Sequence, residues 1–179
     1  MSFVIPESLA PELYPLAWVI GQWRGVGELN YPGIDQQSVQ VDLSWTEGDG
    51  PFLDYRCVVT PVSGESEDGD EPIPTWSTES GFWRISPEKP AELEDEYTAL
   101  EVMTSDPAGR VSIYLGAVGK GRITIASDLI ARTATAAPVT ASRRMFGLVS
   151  GQLMWVWELA AFGHPMQSYL SVAMDRVSS

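Results

Sequence analysis

The chain has 179 residues, with 24 acidic and 11 basic side chains and a formal net charge of −13. This charge argues against a nucleic-acid-binding protein, which needs clustered lysine and arginine, and against binding to an anionic membrane surface. The single cysteine excludes an internal disulfide, so we expect a cytoplasmic protein, and the length predicts one domain over residues 1–179.

The N-terminal segment is the one part of the chain with a helical pattern. Ser8 is a candidate N-cap for a short helix that runs to about Ile20. Pro11 is tolerated in a first turn, whereas Pro15 limits the length of the helix.

From residue 21 onward, apolar and polar residues alternate in short runs, which is typical of half-buried antiparallel strands. Glycine-rich turn signals recur between the runs, at roughly the spacing expected of a sandwich or barrel. An immunoglobulin sandwich is disfavoured because its paired cysteines cannot form. The sequence therefore predicts an all-β protein, an antiparallel up-and-down β-barrel of about ten strands with a short N-terminal helix. The clearest alternating runs are Val39–Thr46, Leu53–Thr60, Val111–Leu115, Arg122–Ile125 and Leu153–Ala161.

The acidic side chains are concentrated in one region. Residues 61–96 hold eleven acids and two bases, and therefore −9 of the total charge. The stretch at about 61–74 contains glycine and proline and is predicted to be a solvated acidic loop. We expect no metal site there, because the spacing of a calcium-binding EF-hand loop is absent.

Residues 21–27 read GQWRGVG, a GxWxGxG pattern that puts Trp23, Gly25 and Gly27 on one face of a strand. Because glycine weakens a strand, two glycines on one face need a reason. Close approach of a neighbouring strand, a sharp bend, and room for a ligand are all compatible with the pattern. A phosphate-binding loop is excluded, since no Lys-Ser/Thr pair and no helix follow.

This pattern belongs to an ordered set of segments that resembles the nitrobindins, a family of fatty-acid-binding-protein-like, and so lipocalin-like, β-barrels. The resemblance extends from about Leu9 to Arg176. The segments that carry it are Leu9–Pro11, Leu16–Gly27, Tyr31–Pro32, Thr78–Arg84, Ile130–Ala134 and Ala160–Met166.

The resemblance implies a ten-stranded barrel that holds one b-type haem, whose ferric iron is bound by a proximal histidine on the last strand. It also implies nitric-oxide binding and isomerisation of peroxynitrite to nitrate. Its motif assigns Gly21, Trp23, Gly25 and Gly27 to the cofactor-binding positions.

Three haem-associated positions of the family differ in this chain. Tyr169 stands where the resemblance places the proximal histidine, Ser77 where a second histidine is frequent, and Gly33 where a threonine is frequent. We therefore expect a ligand-binding barrel that has lost histidine-ligated haem, with no cofactor, no metal and no enzymatic activity. The alternative is a ferric haem protein that uses the Tyr169 phenolate and retains peroxynitrite isomerase or nitric-oxide chemistry.

A phenolate would need a nearby positive charge, since free tyrosine has a pKa of about 10 and burial raises it. The candidate arginines are Arg132, Arg143, Arg144 and Arg176. His164, the only histidine, is expected in a turn at the barrel rim. Cys57 and the methionines are expected to pack in the core rather than to bind iron.

Two further hypotheses concern partners. The seven tryptophans could fill the space that haem takes in the family, or line a pocket for a small apolar or planar ligand. A barrel filled in this way could instead serve as an interaction protein whose acidic segment meets a basic partner. We expect a monomer or a homodimer.

Overall fold

The computed structural model describes residues 8–62 and 74–177. A 3₁₀ helix is followed by ten strands. The helix is Pro11–Val19, and the strands are β1 (Gly21–Tyr31), β2 (Ile34–Glu47), β3 (Leu53–Pro61), β4 (Ser77–Ile85), β5 (Thr98–Asp106), β6 (Arg110–Gly119), β7 (Arg122–Arg132), β8 (Val139–Val149), β9 (Gln152–Ala161) and β10 (Gln167–Arg176).

The ten strands form one closed barrel in which each strand is antiparallel to its neighbours in sequence. Pairing of β1 with β10 closes the sheet, with Gly27 opposite Val172 and Leu29 opposite Leu170. The predicted all-β, ten-stranded antiparallel barrel with a short N-terminal helix is confirmed. Closure leaves no sheet edge exposed, and one side of every strand faces a single shared interior.

The two ends of the barrel differ. We call the end where β1 begins and the 3₁₀ helix packs the closed end, and the opposite end the mouth. The mouth carries the turns after the odd-numbered strands, including Gly33, Gly109 and Gly163, each with a positive φ. The predicted acidic loop begins at the mouth, after Pro61. Its residues 63–73 lie outside the described residues, so that prediction stays a prediction.

The 3₁₀ helix covers the closed end. Leu13, Leu16 and Val19 are buried in the barrel core. The Trp23 indole Nε1 donates to the Val19 carbonyl at 2.8 Å, and the Arg176 guanidinium donates to the Trp18 carbonyl at 2.8 Å. Within the described parts of the chain, no helix has the length and hydrophobicity needed to cross a bilayer.

The predicted N-cap at Ser8 is wrong. The helix begins at Pro11 after Ala10, without a side-chain cap, and the Ser8 hydroxyl instead donates to the Glu47 carboxylate at 2.8 Å. The Glu47 carboxylate, on the end of β2, is a stronger acceptor than a backbone carbonyl. In an α-helix the ring of Pro15 would clash with the carbonyl four residues earlier, which favours a short 3₁₀ segment.

A cluster of aromatic rings packs in the interior. Trp23, Trp45, Trp83 and Trp155 have at most 1% of their surface exposed. Phe146 stacks on Trp155 with a ring separation of 5.5 Å and contacts Trp45 and Trp83 edge-on. Trp45, Trp83 and Trp155 therefore pack around Phe146 as core residues, and Trp23 is a core residue beside the 3₁₀ helix.

The glycines of GxWxGxG allow β1 and β10 to approach closely. A Cβ added at Gly25 would fall on the carbonyl oxygen of Ala173, and one added at Gly27 on that of Ser171. Neither backbone can retreat without disturbing the pairing that closes the barrel. Close approach of a neighbouring strand therefore accounts for both glycines.

Gly25→Ala should lower the free energy of unfolding by about 1–3 kcal/mol, because the added methyl group is forced against the β10 backbone. Gly147→Ala on β8 is the matched control, since the nearest atom to a Cβ at that position is 3.9 Å away. The control should be neutral or slightly stabilising. Urea unfolding of the two variants measures the difference, and equal effects would contradict this account of the motif.

Candidate functional site

A buried ion pair crosses the interior of the barrel. Arg144 on β8 is 1% exposed. Its Nη1 lies 2.6 Å from Oε1 of Glu79 on β4, and its Nη2 lies 2.8 Å from Oε2, so the contact is bidentate. Because β4 and β8 are not adjacent in the barrel, the pair spans the inside rather than following the sheet.

Aromatic side chains complete the surroundings of Arg144. The Tyr114 hydroxyl accepts from Nη2 at 3.0 Å, and the guanidinium lies 4.2 Å from the centre of the Trp157 ring. Burial alone would lower the pKa of Arg144, but the Glu79 carboxylate and the tyrosine oxygens raise it well above its usual value. Arg144 therefore remains charged. Burial also raises the pKa of the adjacent Tyr55, which remains a neutral phenol.

A small cavity lies beside this ion pair on the side of the mouth. Ser142 accepts from the Tyr114 hydroxyl at 3.2 Å and from Trp157 Nε1 at 2.9 Å. The cavity beside them, which Arg110 and Ser112 also line, has a volume of about 10 Å³. A cavity of this size has room for about one water molecule.

Tyr169 lies at the mouth, near the start of β10. The β10–β9 pairing shifts register between Ser168 and Leu170, so Tyr169 sits at an irregularity and packs against the core together with Leu170. Its ring lies 5.0 Å from the Trp157 ring and 6.0 Å from the Tyr31 ring.

The hydroxyl of Tyr169 has a specific partner. Trp76, just before β4, donates its indole Nε1 to this hydroxyl at 2.7 Å. Burial raises the pKa of Tyr169, and the lowering effects of the Trp76 hydrogen bond and of the Arg110 charge do not cancel it. The side chain is therefore a neutral phenol that accepts a hydrogen bond from Trp76.

The other candidate ligands lie elsewhere. His164 is exposed in the turn between β9 and β10, with its ring 6.1 Å from Tyr31. This is the rim position that the sequence predicts. Cys57 is buried, and burial raises the pKa of its thiol to about 12, so the thiolate is not available at neutral pH.

Comparison with known proteins identifies the fold family. The model of the THAP4-like, heme-binding beta-barrel domain matches residues 12–176. A ferric nitrobindin-like protein of Beutenbergia cavernae is 41% identical over 212 aligned positions, which cover 99% of this chain and 100% of that protein. The chain belongs to the nitrobindin family.

Two further relatives agree with this assignment. A peroxynitrite isomerase of Frankia casuarinae is 39% identical, over 95% of this chain and 88% of that protein. The crystal structure of Rv2717c from M. tuberculosis has a TM-score of 0.77 and 25% identity, over 96% of this chain and 100% of that chain.

The positions predicted from the nitrobindin resemblance fall at two separate places. Tyr169, Ser77 and Gly33 all lie at the mouth. Tyr169 is near the start of β10, Ser77 is the first residue of β4, and Gly33 is in the β1–β2 turn. Gly21 and Trp23 lie at the closed end, next to the 3₁₀ helix. The start of the motif and Tyr169 therefore lie at opposite ends of this nitrobindin barrel, and Gly27 lies between them, opposite Val172.

Several residues of the site escaped the sequence reasoning. Of the four candidate arginines, only Arg144 is buried in the barrel, and it is paired with Glu79 rather than directed to Tyr169. The charge that acts on Tyr169 comes from Arg110. The sequence could have predicted that Glu79 points inward, because it shares one face of β4 with Trp83, four residues later.

Arg144→Met should lower the free energy of unfolding by about 3–5 kcal/mol, because it leaves the Glu79 carboxylate buried without its partner. The neighbouring Arg143 pairs with Glu158 on the outer surface and provides the control. Arg143→Met should cost little, since water replaces the lost contact. Guanidinium unfolding distinguishes the two, and a small loss for Arg144→Met would contradict the structural role of the pair.

Proposed function

We propose that this nitrobindin barrel has lost histidine-ligated haem and works as a small-ligand-binding protein rather than as a peroxynitrite isomerase. The observation that carries the proposal is the neutral Tyr169 hydroxyl, which is hydrogen-bonded to Trp76. The resemblance places this residue where the family has its proximal histidine. A histidine at this position would present a ring nitrogen with a lone pair to iron. A protonated phenol is a poor ligand for ferric iron, and the Trp76 N–H already occupies one lone pair of its oxygen.

The size of the cavity beside the ion pair supports the loss of haem. Pockets that bind cofactors and drug-sized ligands have volumes of about 300–1,000 Å³. The cavity beside the Arg144–Glu79 pair has a volume of about 10 Å³. The residues present therefore do not fit a haem in this conformation, and a planar or apolar ligand would have to displace Tyr169 and open its hydrogen bond to Trp76.

The alternative is a haem bound through the Tyr169 phenolate, with retention of the chemistry named for the Frankia casuarinae relative. The observation in its favour is Arg110, whose charge lowers the pKa of Tyr169. Burial raises that pKa by more, so we favour the haem-free barrel. Iron itself would have to supply the remaining stabilisation of the phenolate.

A haemin titration followed by Soret absorbance tests the proposal. Wild-type protein and Tyr169→His should both give only weak, non-saturating uptake, because Trp157 still occupies the space that the haem would need. Tyr169→His combined with Trp157→Leu should give a saturable Soret shift at one equivalent, since it supplies both a ligand and space. Circular dichroism verifies that each variant is folded.

The alternative predicts a different pattern. A saturable Soret shift in the wild type that Tyr169→Phe abolishes would establish a phenolate-ligated haem and contradict the proposal. Tyr14→Phe is the control, because Tyr14 is 50% exposed on the N-terminal helix and lies away from the mouth.

A further inference from the structure

A large groove lies on the outer wall of the barrel. We call it the outer groove and define it by Pro90, Leu93, Ala99, Leu115 and Ala117. Its floor is formed by outward residues of β5 and β6, where Ala99 lies opposite Ala117. Its volume is about 700 Å³, far larger than the internal cavity.

The connection between β4 and β5 forms one side of the outer groove. Ser86 donates its backbone N–H to the Ala99 carbonyl at 2.9 Å, and Leu93 donates to the Pro90 carbonyl at 3.0 Å. These bonds hold the connection as an ordered turn beside the sheet. Leu115 on the floor is 48% exposed, so the groove presents apolar surface to solvent.

The rim of the outer groove is acidic. Residues 86–101 contain six acids and one base. Glu101 pairs with Arg84, and Lys89 pairs with Asp95. Glu88 and Glu92 line the groove and form no ion pair among the described residues. Apolar floor and negative rim are therefore combined in one place.

We propose that the outer groove docks a basic amphipathic polypeptide segment, with its apolar side chains on the floor and its lysines or arginines at the rim. Charge complementarity selects this occupant. A second copy of the chain would bring its own −13 charge and its own acidic rim, and would be repelled. A neutral apolar molecule would contact the floor but would form no ion pair with the acidic rim.

The groove lies outside the barrel, so the proposal goes beyond the function inferred for the mouth and its test does not depend on haem. Apolar contact supplies the affinity at such surfaces, whereas the charges supply orientation and rate of association. Both contributions can be measured separately.

The test is fluorescence polarisation with a labelled peptide whose leucines form one helical face and whose lysines form the other. The wild-type protein should bind it saturably, and more weakly as salt rises. A peptide of identical composition but scrambled order should bind much less, because it has no apolar face. A peptide with glutamate in place of lysine should not bind.

Leu115→Lys should weaken binding by about tenfold or more, as expected for loss of a central apolar contact. The control is Leu148→Lys on β8, which makes the same change in charge at a residue that is 42% exposed and does not line the groove. The control should bind like the wild type.

Several results would overturn the proposal. These are absence of saturable binding by the wild type, equal loss for Leu115→Lys and Leu148→Lys, and equal binding of the scrambled peptide. A concentration-dependent dimer in light scattering that Leu115→Lys abolishes would assign the groove to a second copy and would also overturn it.

Discussion

The charge of Arg144 inside a closed barrel is the constraint on which the interior depends. A guanidinium that water cannot reach must be compensated by groups from the surrounding strands. Glu79 supplies the opposite charge from across the barrel, Tyr114 an acceptor, and Trp157 an aromatic face. Together with Arg144, these groups come from four different strands, and the ion pair itself ties β4 to β8 across the barrel.

Trp157 connects this interior to the mouth. The face of the indole lies over the Arg144 guanidinium, and the Tyr169 ring packs against the indole nearly at a right angle. Tyr169 in turn is held by Trp76, so the β4 and β10 sides of the mouth are joined by one hydrogen bond. In our proposal, loss of histidine-ligated haem is therefore more than the exchange of one ligand. The space around the ligand position is packed to match the tyrosine.

The sequence predicts the fold well because barrel strands leave a period-two pattern that needs only local information. The position of Tyr169 could also be counted forward from the Gly163 turn. The partner of its hydroxyl could not, since Trp76 is 93 residues away and meets it through closure of the barrel. For the same reason the sequence does not predict the Arg144–Glu79 pair, whose members are 65 residues apart.

Local reasoning was less successful where side chains compete for a partner. Ser8 has the residue type of an N-cap, yet its hydroxyl donates a hydrogen bond to a carboxylate on β2. The two strand glycines were compatible with a bend, a ligand or a close contact. Only the position of the β10 carbonyls distinguishes these explanations.

The haem content of the protein made in cells tests the central claim most directly. The full chain would be produced with added iron and δ-aminolaevulinate, purified without added haem, and assayed by the pyridine haemochrome method. Our account predicts almost no haem per chain, because Tyr169 stays protonated and the interior stays packed. A content near one haem per chain would contradict it.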